Sequence, residues 1–173
     1  VIRILPTRHE AKGKEVIRKA ISAIKSWLVG QAVSMLVIGV ITGIGLALAG
    51  IPFSLALGVI AGLAEFIPFV GPILAAVPAL LLAATLGLDK VLIVFAIMLG
   101  VQFVEGNIVM PIVQKKAVQL PPVLTLAAVF LLGGSFGILG MFVAAPLVAV
   151  LLVLVDELYI CGYLKKQEPI LDE

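Results

Sequence analysis

Between Trp27 and Leu88 the sequence carries one formally charged residue, Glu65. A helix needs only about 20 apolar residues to cross the hydrocarbon of a bilayer, so this run is long enough for several crossings. Charged residues make up 13% of the whole chain, against about a quarter in an ordinary soluble domain. The mean hydropathy is +1.28 and 62% of residues are hydrophobic. This is the composition of an integral membrane protein. Inside hydrocarbon the backbone must satisfy its own hydrogen bonds, and the reading is an all-α, polytopic membrane fold. Glu65 opens the stretch Glu65-Phe66-Ile67-Pro68-Phe69-Val70-Gly71-Pro72. Two prolines and a glycine break the helix beside a lone acid. In a membrane both features are costly, and such costs are tolerated mostly at transport sites.

Taken in order, residues 1–27 form a basic amphipathic segment. Val16, Ile17, Ala20, Ile21, Ile24, Trp27 and Leu28 recur at helical spacing, while Lys12, Lys14, Arg18, Lys19 and Lys25 fill the other face. This predicts a helix lying on an anionic leaflet with Trp27 at headgroup level. The basic face lacks interleaved aromatics and leads directly into a span, which argues against nucleic acid as a partner. His9 has no second ligand nearby and reads as a solvated residue. No metal or cofactor site is expected.

A transmembrane region follows over residues 28–160. It divides into a span at 28–49, a hairpin at 53–86, a span at 91–113 and a hairpin at 121–157. Gly39-xxx-Gly43 in the first span allows close helix packing. Each arm of the first hairpin has about 15 residues, or roughly 22 Å, short of a full crossing. The reading is a re-entrant hairpin, with two short tilted spans as the alternative. The second hairpin is broken at Gly133-Gly134-Ser135-Phe136-Gly137 and has Gly140 and Pro146 beyond the break. Asp156, Glu157, Tyr159 and Tyr163 mark its far interface, and residues 161–173 form a polar tail. Cys161 reads as an unmodified thiol, since one cysteine forms no internal disulfide. The chain begins with Val and reads as a fragment of a longer protein.

If the amphipathic helix is cytoplasmic, the spans place Lys115-Lys116 and Lys165-Lys166 on that same side, as the positive-inside rule requires. Both termini are then cytoplasmic and the two hairpins enter from opposite faces of the cell membrane. A shift of 69 residues superposes Pro52 on Pro121, Gly71 on Gly140 and Ala75-Ala76 on Ala144-Ala145. Inverted pairs of interrupted segments point to a transporter with its site between them.

The residues that carry chemistry are few. Glu65 is the leading transport or coupling group; the competing reading is a structural acid bonded to backbone freed by Pro68. Glu105 and Asn107 flank Gly106, and Gln102 lies one turn before Glu105 on the same face. These could surround a polar solute, a proton or Na⁺, or they could be a helix end at the interface. Pro68, Gly71, Pro72, Pro78, Gly133, Gly134, Gly137, Gly140 and Pro146 supply the geometry of the breaks. Ser135 offers a hydroxyl at the second tip. Thr42, Thr85 and Thr125 are expected to bond to their own helix backbone. Phe66 and Phe69 read as wedges filling the first tip. No HExxH, GxSxG, P-loop or paired-cysteine motif is present, so the chain does not read as an enzyme.

Ile67-Pro68-x-x-Gly71-Pro72-x5-Pro78 resembles the core motif of the autoinducer-2 exporter family, a group of bacterial and archaeal permeases. Glu105-Gly106-Asn107 with Pro111 resembles its second motif, and Gly137-x-x-Gly140-x4-Ala145-Pro146-Leu147 its third. Gly30-Gln31 also fits. Gln114 departs from the pattern, which favours glycine there. The resemblance covers nearly the whole chain, as the C-terminal half of a longer permease. It implies export of a small polar metabolite such as autoinducer-2 by alternating access, or sodium/proton antiport in some members. It also implies a homo-oligomer, a pentamer with an elevator-like moving part. A third reading is a membrane assembly domain that transports nothing and whose glycines only pack helices.

Overall fold

The computed structural model describes residues 7–114 and 121–155, with side chains for 16–112 and 121–155. All secondary structure among them is helical: α1 (Thr7–Leu48), α2 (Ser54–Ala64), α3 (Gly71–Ala84), α4 (Leu88–Val104), a π-helical turn (Glu105–Val109), α5 (Met110–Gln114) and α6 (Pro122–Val155). Three stretches are long and apolar enough to span a membrane: Val16–Leu48, Leu88–Ile112 and Pro122–Val155. The chain is thus a polytopic helical membrane protein. The Lys115-Lys116 loop, Asp156, Glu157, Tyr159, Cys161, Tyr163, Lys165-Lys166 and the side chain of His9 lie outside the described residues.

The basic segment and the first span are one helix, α1, with no break at Trp27. Its 42 residues make it about 63 Å long at 1.5 Å per residue, twice the hydrocarbon thickness. Ser34, Ile38, Thr42 and Leu46 recur every fourth residue and are buried as one stripe. Trp27 belongs to the protein interior rather than to a free headgroup belt, because its ring stands edge-on to Phe66 at 5.6 Å between centroids. At the other end Gly50 turns the chain at φ +70°, and Ile51 N–H bonds back to the Leu46 carbonyl at 3.0 Å. Lys90 Nζ donates to the Ala49 carbonyl at 2.6 Å, placing a cation where the helix dipole is negative.

Packing follows the membrane pattern of small residues inside and large ones outside. Ala75, Ala79 and Ala83 line the buried face of α3, whereas Leu36, Leu48, Phe103 and Leu131 are largely exposed. The tightest crossing joins α1 to α2. A Cβ on Gly58 would lie 2.7 Å from the Gly39 carbonyl oxygen, and one on Gly62 would lie 2.6 Å from that of Met35. The Gly39-xxx-Gly43 motif therefore meets a second one, Gly58-xxx-Gly62, on the facing helix.

α2 and α3 form the first hairpin. Their 11 and 14 residues correspond to about 16 and 21 Å. Pro72 sits in the first turn of α3, where a missing N–H costs nothing, and Pro78 lies inside that helix rather than at the break. The turn between them places Phe69 at φ +68°, a left-handed conformation rare for a bulky residue. Gly71 closes the hairpin, because a Cβ there would collide with the backbone of Ala64 and Glu65.

α6 is the second hairpin. Its helical path is interrupted at one residue, Gly137, with φ 64° and ψ −147°. Gly133, Gly134 and Ser135, expected in the break, belong to the first arm instead, and Pro146 lies within the second. Val129 and Ala144 share one core cluster, which a straight helix would hold about 22 Å apart. Gly140 lets the arms meet, since a Cβ on it would collide with the Leu132 backbone. Gly71 and Gly140, paired by the 69-residue offset, thus do the same work in the two hairpins.

The first tip packs into the second hairpin. Ile67 and Val70 join the cluster of Val129 and Ala144, and the Phe66 and Phe142 rings lie 5.1 Å apart. A separate core of Leu46, Ile51, Leu57, Ala79, Ala83 and Val94 ties α1, α2, α3 and α4 together at the other end.

Candidate functional site

Glu65 ends α2 at the point where the first hairpin breaks. Its amide bonds to Ala61 O in the last helical turn, and Pro68, three residues on, has no N–H with which to continue the ladder. The side chain is 4% exposed, so the carboxyl points into the protein. Gln31 of α1 donates from Nε2 to the Glu65 main-chain carbonyl and fixes the break against the first span.

Glu105 comes from the opposite wall. α4 widens there into the π-helical turn, and the Met110 amide bonds five residues back to the Glu105 carbonyl. Pro111 accounts for the widening. Its ring lacks an N–H and would press on the carbonyl four residues earlier, that of Asn107, in a regular helix. One extra residue per turn relieves that clash, and π-turns of this kind are frequent at functional sites. The turn directs Glu105 inward, 8% exposed. Gln102 Nε2 donates to Glu105 Oε2 at 3.1 Å from one turn earlier.

The two carboxyls are neighbours, and both line a cavity of about 330 Å³ between α1, α2, α3 and α4. Among the described residues no lysine, arginine or histidine lines it. The walls are otherwise apolar, among them Ile38, Ala61, Pro72, Phe95 and Met98. A larger groove of about 620 Å³ runs along the α1–α2 crossing, but among the described residues no ionisable one lines it. The 330 Å³ cavity is therefore the candidate site.

Not every expected residue converges there. Asn107 is exposed and donates to the Phe103 carbonyl at 2.9 Å, so it serves its own helix. Ser135 does likewise with Leu131 at 2.9 Å, also on an exposed face. Gln102 is at the cavity rim. Thr85 and Thr125 bond to the backbone at Leu82 and Pro121 as their sequence context predicts. Thr42 does not. It is 1% exposed, lines the carboxyl cavity, and its Oγ1 has no hydrogen-bond partner among the described residues. Only its i, i+4 place on the buried stripe of α1 could have drawn attention to it.

The family model for "AI-2E family transporter" matches residues 1–160. The chain belongs to this family. Similar proteins include "Putative transport protein YrrI" of Bacillus subtilis (strain 168), 36% identical over 151 residues, covering 87% of this chain and 43% of that protein. "Putative transport protein YueF" of the same organism is 33% identical over 150 residues, covering 86% and 40%. "Putative permease PerM" of Escherichia coli (strain K12) is 29% identical over 149 residues, covering 85% and 42%. No solved structure matches significantly. The AI-2E chain thus spans less than half the length of these relatives, and its family is one of transporters and permeases rather than enzymes.

Proposed function

We propose that this chain is the solute-handling half of a secondary transporter, with Glu65 and Glu105 as its coupling groups. The observation that carries the reading is the carboxyl pair. Two acids from different helices are buried as neighbours, and no basic residue among those described lines their cavity. Such a pair is electrically satisfied by a proton or a cation. Binding it from one side and releasing it to the other couples solute flux to a gradient. Glu65 rides on the first break, and that break packs against the second hairpin. A movement of one hairpin past the other would change what the pair faces, which is the requirement for alternating access.

In this reading the protein sits in the cytoplasmic membrane with both termini inside and the two hairpins entering from opposite faces. It works as a homo-oligomer and exports a small polar metabolite, with autoinducer-2 as the compound to test first. The same carboxyl pair favours one second reading, exchange of Na⁺ for H⁺. Vesicles reconstituted with the protein and loaded with a pH dye separate the two. Autoinducer-2 flux without a proton response to a Na⁺ pulse supports export, and the converse supports antiport. Glu65→Gln and Glu105→Gln should each abolish proton-coupled flux. Full coupled flux in either variant would eliminate the mechanism.

A further inference from the structure

The cavity combines a few polar groups with an apolar body. The polar groups are two carboxyls, the Gln102 side chain, one of whose N–H groups donates to Glu105, and the Thr42 hydroxyl, which can donate or accept. When the two carboxyls are ionised an anion is repelled, and an occupant that neutralises them brings donors and positive charge. The body is lined by Ile38, Pro72, Phe95 and Met98, and its 330 Å³ is about ten water volumes, far more than a bare monovalent ion fills. A buried hydroxyl without a partner is rare and costly, and among the described residues Thr42 Oγ1, which lines the same cavity as the two carboxyls, is such a group. These facts share one explanation, an occupant with an apolar portion and a donating cationic head.

We propose that the Thr42 hydroxyl is a third ligand of the carboxyl cavity, and that the cavity receives a small organic ammonium ion. The ammonium donates to Glu65, Glu105 and Thr42, while its hydrocarbon part lies against Phe95 and Met98. The inference rests on the transporter reading for its purpose, and it puts an organic ammonium in place of autoinducer-2, which carries no amine, as the solute. A proton and the amine would occupy the acids alternately.

The test is equilibrium binding of radiolabelled benzylammonium to the purified full chain in detergent. Saturable binding is expected, displaced by butylammonium but not by equal concentrations of benzyl alcohol, benzoate or Na⁺. A hydrogen bond to a charged group corresponds to about a tenfold change in affinity. Thr42→Val, which keeps the shape, should therefore weaken binding about tenfold, and Thr42→Ser should restore it. Unaltered thermal unfolding of each variant guards against a folding defect. Equal binding by Thr42→Val, equal displacement by benzyl alcohol or Na⁺, or no saturable binding overturns the inference. Vesicle transport is scored separately. Amine binding without any flux sinks the transporter reading alone, and flux of another solute without amine binding sinks this inference alone.

Discussion

Gly58→Ala adds one methyl group where α1 and α2 meet backbone to backbone. The new Cβ would lie 2.7 Å from both the Gly39 carbonyl oxygen and the Gly43 Cα, with the Gly43 nitrogen at 2.9 Å. All three are backbone atoms, so no side chain can swing away. Ordinary contact begins near 3.4 Å, and α1 and α2 must separate by about 0.7 Å. Overpacking of this kind costs about 1–3 kcal/mol, and in a membrane the lost dispersion between the facing backbones has no hydrophobic compensation. The displacement also reaches the site, because α2 ends at Glu65. The natural reporter is Trp27, the single tryptophan, buried against Phe66 at the first break. Denaturant titration in mixed micelles, followed by its emission, should show a lower midpoint for Gly58→Ala. Gly100→Ala is the control: a Cβ there meets nothing within 4 Å, and exchanging glycine for alanine in a helix should stabilise by about 0.5–1 kcal/mol. Equal midpoints for Gly58→Ala and the unaltered protein would refute the close-packed crossing. So would equal effects of the two substitutions.

Two further perturbations test the breaks. Gly137→Ala forces a Cβ onto φ 64°, ψ −147°, a region close to glycine's own, and should cost about 1–3 kcal/mol in the same titration, although no neighbour lies within 4 Å. Pro111→Ala restores an N–H able to reach Asn107 and removes the cause of the π-turn. Glu105 should then rotate away from Glu65. With Cys161 replaced by serine, Glu65→Cys/Glu105→Cys should be bridged by a short bis-methanethiosulfonate reagent that spans the length lost from the two side chains, and should lose most of that bridging once Pro111→Ala is added; an unchanged yield would refute the role given to Pro111.

How far these features were legible in the sequence depends on whether the physics was local. Helices, spans and the first break follow from composition, from Pro68 and from Gly71-Pro72, because backbone hydrogen bonding in hydrocarbon leaves few choices. The second break was drawn too wide, over Gly133 to Gly137 rather than at Gly137 alone. Gly133 and Gly134 look like breakers, yet Gly133 only makes room for Met141 and Gly134 faces open space. The chain turns at Gly137 because that is where the arms must reverse for Gly140 to reach Leu132. Helix propensity is a weak signal against such a tertiary demand. Likewise the Gly39 motif was visible, but its partner at Gly58 and Gly62 emerges only when α2 is laid across α1.

The site divides along the same line. Glu65 was conspicuous because charge in an apolar run is intrinsically costly, and Glu105 because it stood beside Gly106 and Asn107. That the first two share a cavity while Asn107 turns outward depends on the π-turn, a one-residue change of register. Thr42 shows the limit most clearly. Three threonines in apolar helices have the same local option, a bond to a carbonyl three or four residues back, and Thr85 and Thr125 take it. Thr42 has that option too and does not use it. The difference lies in the cavity it lines, which the other helices furnish with two carboxyls and an apolar hollow. A hydroxyl kept off its own backbone at such a place is available to a ligand, which is why the isosteric Thr42→Val change probes recognition rather than fold.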